Sequence, residues 1–553
     1  MNGEDFFSLD QERPTALSSV NSGPKLDLDP ALVARARKLA ERAGAPVIEL
    51  AKTHTTVAVE RAVLRLGGLS GADREGVPRA NLLLDSVRAQ VGLEHGTALP
   101  VWDAWNTGDF ADLNELADQA AAGRVKFRIP KGAAADRARA SSLAFVGTGM
   151  DRIDRQRSRR TAMTKGFGDA VKPWIYLIVA TGDIYEDIAQ AQAAARAGAD
   201  IVAVIRSTGQ SLMDYVPEGA TREGFAGTYA TQENFRLMRA ALDDVSKDVG
   251  RYIRLTNYAS GLCMPEMAVL AGLERLDMML NDSMYGILFR DINPLRTFVD
   301  QRFSRQIHAR AGIIINTGED NYLTTADAVD AAHTVTVSQL LNEHFAREAG
   351  LEDWQIGLGH AFEIDPERKD SFRLELAHAM LAKTLFPDAP LKWMPPTRHM
   401  TGDIFRGYLL NGFFNLAGAL TGQSILLVGM MTEAVVTPWL SDRDLALRNV
   451  RYVLDAAGGL HEDFRPAPDG FIAGRARHVL GEAVELLERI CDDSLITAIA
   501  EGTFGLMHRP PEGGKGREGT LAHAEGYFNP ATELLECGPT KVLAGAGTNG
   551  GTA

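Results

Sequence analysis

The sequence predicts an α/β fold, a (β/α)8 TIM barrel flanked by a mainly helical N-terminal segment and an irregular C-terminal one. Three observations predict it. Between residues 173 and 431 a short apolar run followed by a helical segment can be counted eight times. The runs are nearly continuous rather than alternating, as expected for strands covered on both faces. Parallel strands need a helix to return the chain between them, and eight unbroken units favour a closed barrel over an open doubly wound sheet. The active site of such a barrel lies where its strands end.

Residues 1–28 read as a tail. Asp29 and Pro30 form a cap and first-turn pair that opens a helix through about Ala43, and more helices follow to about residue 165. This gives an accessory region over 29–170. Within the barrel, 171–460, the strand candidates are Trp174–Val179, Ile201–Arg206, Tyr252–Asn257, Asp277–Asn281, Gly312–Asn316, Gln355–Gly359, Leu391–Met394 and Ile425–Val428. Thr231 with Asn234, Thr324 with Asp327, and Pro294 mark helix starts between them. A C-terminal accessory segment, 461–537, carries an amphipathic helix over Arg475–Ile490 and a loop over 510–530 that contains GGKGREG. Residues 538–553, rich in Gly, Ala and Thr, read as a frayed tail.

A chain of 553 residues is too long for one barrel alone, and 45% hydrophobic residues suffice for a large core. The balance of 58 basic and 72 acidic residues, −14 in all, argues against a general nucleic-acid surface. The locally basic RIDRQRSRRTAMTK, residues 152–165, is expected to be a solvated connecting segment. Cys263, Cys491 and Cys537 are far apart and show no zinc spacing, which fits a reducing cytoplasm. The acidic N-terminus has no apolar stretch resembling a signal peptide. Gly407–Leu420 is apolar but interrupted by Asn411 and Asn415, and it is shorter than the ~20 residues that span a bilayer. Gly545, Gly547 and Gly550 match G-x-G-x-x-G, but no strand and helix surround them as a dinucleotide site requires. Gly147 and Gly149 lack the third glycine.

Chemistry gathers at the strand ends. After the second strand, Arg206-Ser-Thr-Gly-Gln-Ser211 offers a guanidinium, hydroxyls and a glycine, donors that suit a phosphate, although Arg206 could equally form a structural ion pair. The third strand ends near Ser260, the fourth near Tyr285 and the fifth near Asp320. His360 and Glu363 follow the sixth, and Lys392 and His399 belong to the seventh. Such density of polar and aromatic groups favours an enzyme. His360, Glu363 and His399 read either as metal ligands or as hydrogen-bonded polar residues of the mouth. Lys392 could attach a carbonyl cofactor or bind a carboxylate as a point charge.

PWIYLIVATGDIYEDIAQAQAAARAGADIVAVIRSTGQS, GRYIRLTNYASGLCMPE, GIIINTGEDNYLTTADAV, GLGHAFEIDPE, APLKWMPPTRHMTGDIF and GTFGLMHRPPEGGKGREG carry a resemblance over about residues 26–530. The chain resembles the α subunits of lysine 5,6-aminomutase, which depend on adenosylcobalamin and pyridoxal 5'-phosphate. The resemblance implies that pyridoxal phosphate sits at the barrel mouth, with Arg206 and Ser211 on its phosphate and Ser260 facing the pyridine nitrogen. Tyr285 would stack on the ring with Arg290 nearby. Asp320 would hold a substrate ammonium and Lys392 its carboxylate. A hydroxyl at Ser260 fits this chemistry, because carbanion-forming enzymes usually place a carboxylate there.

No D-x-H-x-x-G, the family's cobalamin-binding motif, occurs at any of the twelve histidines. The resemblance places that motif, and the lysine that attaches pyridoxal phosphate, on a Rossmann-like β subunit in an α2β2 heterotetramer. The chain is thus expected to be a cytoplasmic isomerase subunit. It would move the terminal amino group of D-lysine or L-β-lysine to the adjacent carbon. The rival readings are a metal-dependent barrel hydrolase using His360, Glu363 and His399, and a non-catalytic scaffold that docks a cobalamin protein.

Overall fold

The computed structural model describes residues 25–204, 208–224, 227–318, 328–359 and 364–536. Eight parallel strands form one sheet: β1 (Trp174–Val179), β2 (Ile201–Val204), β3 (Arg254–Tyr258), β4 (Met278–Leu280), β5 (Ile314–Asn316), β6 (Ile356–Gly357), β7 (Lys392–Trp393) and β8 (Ile425–Leu427). The order along the ladder is β6-β5-β4-β3-β2-β1-β8-β7. The first strand therefore pairs with the last, Trp174 opposite Ile425, as a closed barrel requires. All eight lie within the expected runs except that β3 extends one residue further, to Tyr258. Every residue of β1 is buried, which accounts for the unbroken apolar run WIYLIV.

The expected caps at described residues are present. Thr231 Oγ1 accepts the Asn234 N–H at 3.0 Å, Asn293 caps the helix that Pro294 opens, and Asp29 accepts the Ala31 N–H at 2.9 Å. Thr324 and Asp327 lie outside the described residues. Gly147 and Gly149 sit inside a helix, where a Cβ on Gly149 would meet the Leu66 carbonyl at 2.3 Å. This glycine serves a close crossing of two helices.

Three expectations are corrected. The first helix does not stop near Ala43 but runs Pro30–Lys52 through Pro46. Its face of Ala36, Ala40, Ala43, Val47 and Ile48 is buried in the main core, and this packing outweighs the lost backbone bond at proline. The segment 510–530 is not all loop: Thr520–Ala522 pairs antiparallel with His54–Thr56, joining the C-terminal segment to the N-terminal helices. Nor are residues 152–165 a solvated connector.

They are the second half of a 35-residue helix, Ala133–Phe167, that runs across the floor of the barrel, where the strands begin. The barrel helices end at this floor with unsatisfied carbonyls and the negative end of their dipoles. Arg160 donates to the carbonyls of Ala311 (2.8 Å), Gly312 (2.9 Å) and Leu276, and Arg157 to those of Ala309 (3.3 Å) and Arg310 (3.0 Å). Arg160 also meets Asp277 at 2.8 Å, and Arg152 meets Glu274 at 2.6 Å. Asp277 is buried and further accepts from Arg239, Tyr252 and the Leu255 N–H at 2.8–2.9 Å. Burial works to raise its pKa, yet Arg160 and Arg239 hold it below the usual carboxylate range. The charge run is a set of clamps whose partners lie more than 80 residues away.

The helix Ile404–Thr421 contains the apolar Gly407–Leu420 stretch, with Asn411 buried and bonded in both directions to the backbone of Gly429. Among the described residues no helix is long and apolar enough to cross a membrane.

Candidate active site

At the opposite end of the barrel the strands deliver hydroxyls, amides and aromatic rings. The chain leaving β2 forms a tight turn, Thr208–Leu212, that carries Ser211. Gln210 fixes this turn by bonding both the N–H and the carbonyl of Ala230, each at 2.7 Å. The Ser211 carbonyl accepts the Leu262 N–H at 3.0 Å, so the loops after β2 and β3 are joined two residues beyond Ser260.

An ion network, buried except at Asp214, underlies this junction. Arg296 donates to the Leu262 carbonyl at 2.7 Å, to Asp214 at 3.0 Å and to Asp300 at 2.7 Å. Arg61, from the N-terminal helix Val57–Leu66, reaches Asp214 and also Glu266 at 2.7 Å. Asp214 is held at about 2 because the two guanidinium groups overcome the effect of burial, whereas burial pushes Asp300 up to about 6. The accessory helices thus fix the backbone that presents Ser211 and Ser260.

Ser260 is fully buried, and its Oγ accepts the Asp282 N–H at 2.9 Å. Asp282 in turn accepts from Met284 N–H (3.0 Å), Gly318 N–H (3.1 Å) and the Asn342 amide (3.3 Å), which links the loops after β4 and β5. Burial raises its carboxyl above the ordinary range.

Tyr285 opens a single π-helical turn, Tyr285–Phe289, a distortion often found at functional sites. Its hydroxyl accepts from Arg290 at 2.7 Å, and that guanidinium lies 4.5 Å from the Phe289 ring centroid. Arg290 Nε has no partner among the described residues. The late segment 509–519, which contains GGKGREG, supports the turn. Arg509 donates to the carbonyls of Ile287 and Leu288 at 3.0 and 2.9 Å, and Lys515 exchanges backbone bonds with Asp291 and Asn293 at 2.8 and 3.0 Å. A Cβ on Gly514, whose φ is +83°, would stand 2.8 Å from the Asn293 nitrogen, so only glycine allows this approach.

Across the barrel Lys392 is 1% exposed, with Nζ 5.1 Å from the centroid of the Tyr176 ring. The Tyr176 hydroxyl is bonded to Tyr258, and burial followed by this neighbour pushes its pKa well up. Glu433, six residues beyond the end of β8 at Leu427, stands near Tyr176 and is pushed up to about 7 by burial. Asn316, at the end of β5, is buried with neither amide atom partnered among the described residues.

Of the residues nominated from sequence, the structure joins Ser211, Ser260 and the chain leading to Tyr285 into one backbone-bonded rim. Arg290 sits on Tyr285 and Lys392 lies on Tyr176. His399 lies next to Arg398 at 3.1 Å, and burial and then this cation lower its proton affinity. Arg206, Asp320, His360 and Glu363 lie outside the described residues. Sequence reasoning gave Tyr176, Tyr258, Asn316 and Glu433 no role, although Tyr258 and Asn316 lie in the polar strand ends it singled out; Glu433 carried no signal beyond its place after β8.

The Asn316 amide and Arg290 Nε, buried and without a partner among the described residues, are polar groups that a bound ligand could satisfy. They fit a phosphorylated heteroaromatic group. The chain matches the model of the D-lysine 5,6-aminomutase TIM-barrel domain of alpha subunit over residues 26–534. It is 50% identical over 513 residues to the lysine 5,6-aminomutase alpha subunit of Acetoanaerobium sticklandii, covering 92% of this chain and 98% of that one. The corresponding subunit of Fusobacterium nucleatum is 49% identical over 512 residues, covering 92% and 99%. A more distant match is the D-ornithine 4,5-aminomutase subunit beta of Acetoanaerobium sticklandii. It is 27% identical over 409 residues, covering 69% of this chain and 55% of that one.

Proposed function

Because the chain belongs to the family of lysine 5,6-aminomutase α subunits, we propose that its barrel mouth binds pyridoxal phosphate and shifts the terminal amino group of D-lysine or L-β-lysine to the next carbon. It is an isomerase subunit of the aminomutase type. The observation that carries the reading is the continuous rim from Ser211 through Ser260 to Tyr285, faced by a buried Lys392. Ser211, with Arg206, would hold the phosphate. Ser260 would face the pyridine nitrogen, Tyr285 would lie against the ring, and Arg290 would orient the tyrosine.

When bound, the pyridoxal group supplies the π system that carries the migrating nitrogen, and adenosylcobalamin on a partner supplies the radical that starts the migration. The chain's own residues do the rest. Lys392 offers its ammonium to the substrate carboxylate, and Asp320 takes the free ammonium. Both charges leave water on binding and need such partners. A neutral hydroxyl at Ser260 leaves the pyridine nitrogen without the carboxylate that carbanion chemistry uses. Tyr176 and Tyr258 wall the lysine from water, and a dry mouth protects reactive radicals.

The chain would be half of an active site. A Rossmann-like β subunit would bring cobalamin and the lysine that attaches pyridoxal phosphate, in an α2β2 complex of the cytoplasm. Turnover tests the proposal. The chain, the partner subunit and both cofactors should together convert D-lysine or L-β-lysine to the 2,5- or 3,5-diaminohexanoate. The chain without its partner should not. Turnover by the chain alone, or its absence from the complete mixture, would overturn the reading.

A further inference from the structure

A barrel's outer helices normally turn polar faces to water, but here one sector does not. In the helix Ile404–Thr421, Phe405 is 89% exposed and Leu409 60%, and Phe413 continues the same stripe at a spacing of four. Beside it, the loop after β8 and the start of the helix Leu440–Ala457 expose Val435 (63%), Trp439 (65%) and Leu440.

The two parts form one rigid surface. Gly402 N–H donates to the Met431 carbonyl at 2.8 Å, and Ala434 N–H to that of Met400 at 3.1 Å. Thr432 and Asp442 fasten the loop to the following helix at 2.6 Å, and Asp403 caps the neighbouring one at 3.0 Å. With whole side chains exposing about 150–250 Å² each, the patch presents on the order of 700 Å² of apolar area. A typical monomer's largest patch is about 300–600 Å², and a stable interface buries about 800 Å² on each partner. Ion pairs at its edge, Arg406–Glu367 at 2.9 Å and Arg448–Asp444 at 2.9 Å, supply the polar rim such interfaces have.

We infer that this apolar sector is the seat of the complementary, cobalamin-carrying subunit; the inference rests on the two-subunit reading above. Continuity with the mouth selects that occupant. The loop that exposes Val435 also carries Glu433, which stands near Tyr176 and hence near Lys392. A body seated here lies beside the loop that reaches toward Tyr176.

The test replaces Phe405→Ser and Trp439→Ser together in the full chain and measures partner affinity by sedimentation velocity. Affinity should fall at least 100-fold, while Tyr185→Ser, an exposed aromatic on the helix after β1, should bind as wild type. Hydrogen exchange in the unmutated chain gives a second readout, with partner addition expected to protect residues 400–413 and 430–442. Wild-type affinity in the double variant, or no protection there, overturns the inference. So does a homodimer of the chain alone that the double variant abolishes. A wild-type chain that binds no cobalamin-carrying subunit would remove the two-subunit reading as well.

Discussion

The two ends of the barrel spend charge in opposite ways. At the floor, Arg160, Arg239 and Tyr252 converge on Asp277, and helix-end carbonyls are capped by arginines from a helix that crosses beneath them. At the mouth, Lys392 lies against an aromatic face, and Asn316 and Arg290 Nε have no partner among the described residues. At the floor Asp277 is satisfied by the protein itself, whereas at the mouth the Asn316 amide and Arg290 Nε are left without a described partner. Stability should therefore depend on floor charges and turnover on mouth charges.

The strongest way to break this contrast is at Lys392. Lys392→Gln keeps approximate shape but leaves the substrate carboxylate unpaired, at a cost of about 2–5 kcal/mol. In the reconstituted complex kcat/KM should fall roughly 30-fold to several thousand-fold, at about 1.4 kcal/mol per tenfold. Pyridoxal phosphate binding and the melting temperature should stay near wild type. Asp320→Asn should act in the same sense on the ammonium. Wild-type kinetics, or lost cofactor binding instead, would remove these residues from the substrate clamp.

Asp277→Ala is the mirror experiment. It removes one of the two carboxylates on Arg239, Asp243 remaining at 3.0 Å, and leaves the buried Tyr252 hydroxyl and Leu255 N–H without their acceptor, at a cost of about 1–3 kcal/mol in stability. Thermal unfolding should shift downward, while folded molecules assembled with the partner keep their kcat/KM. A variant that melts as wild type but loses turnover would invert the assignment of the two ends.

Ser260→Ala should blur the contrast in a diagnostic way. The hydroxyl accepts the buried Asp282 N–H, so its loss leaves that donor unsatisfied at about 1–3 kcal/mol. If Ser260 also faces the cofactor, turnover falls by more than the loss of folded protein explains. Turnover that only tracks the folded fraction would make Ser260 a structural residue.

The smallest effect concerns acid. His308 is fully buried, neither ring nitrogen has a partner among the described residues, and burial and then Arg305 hold its pKa at about 3. The unfolded chain protonates this group near its ordinary value of about 6.5, whereas the folded chain does not. The unfolded state therefore gains a proton as pH falls from about 6.5 toward 3, and stability is lost over that window at about 1.4 kcal/mol per pH unit. His308→Leu should narrow the drop in melting temperature between pH 7 and 5.5 by a degree or two. An unchanged drop would show that the imidazole does protonate in the fold.

The barrel was legible because strands buried on both faces read as apolar runs, and turns between strand and helix carry recognisable caps such as Thr231. The floor was not. A run of arginines looks solvated until the chain brings Asp277, Glu274 and the helix-end carbonyls to it, and no local pattern encodes partners so distant in sequence. The helix through Pro46 failed for a related reason: packing of its buried alanine and valine face overrides a local breaker. At the mouth, residue types at strand ends pointed to Ser211, Ser260, Tyr285 and Lys392. Glu433 went unnoticed because only the fold shows that its loop turns back toward Tyr176.

The central claim is that this chain supplies the walls and clamps of the mouth while the covalent hold on pyridoxal phosphate comes from a partner. The direct measurement is borohydride reduction of the cofactor-loaded complex, followed by peptide mapping of the reduced pyridoxyl group. The account predicts the label on a lysine of the partner subunit, with none on this chain, and no label when the chain is reduced alone with the cofactor. A label on Lys392 would contradict it.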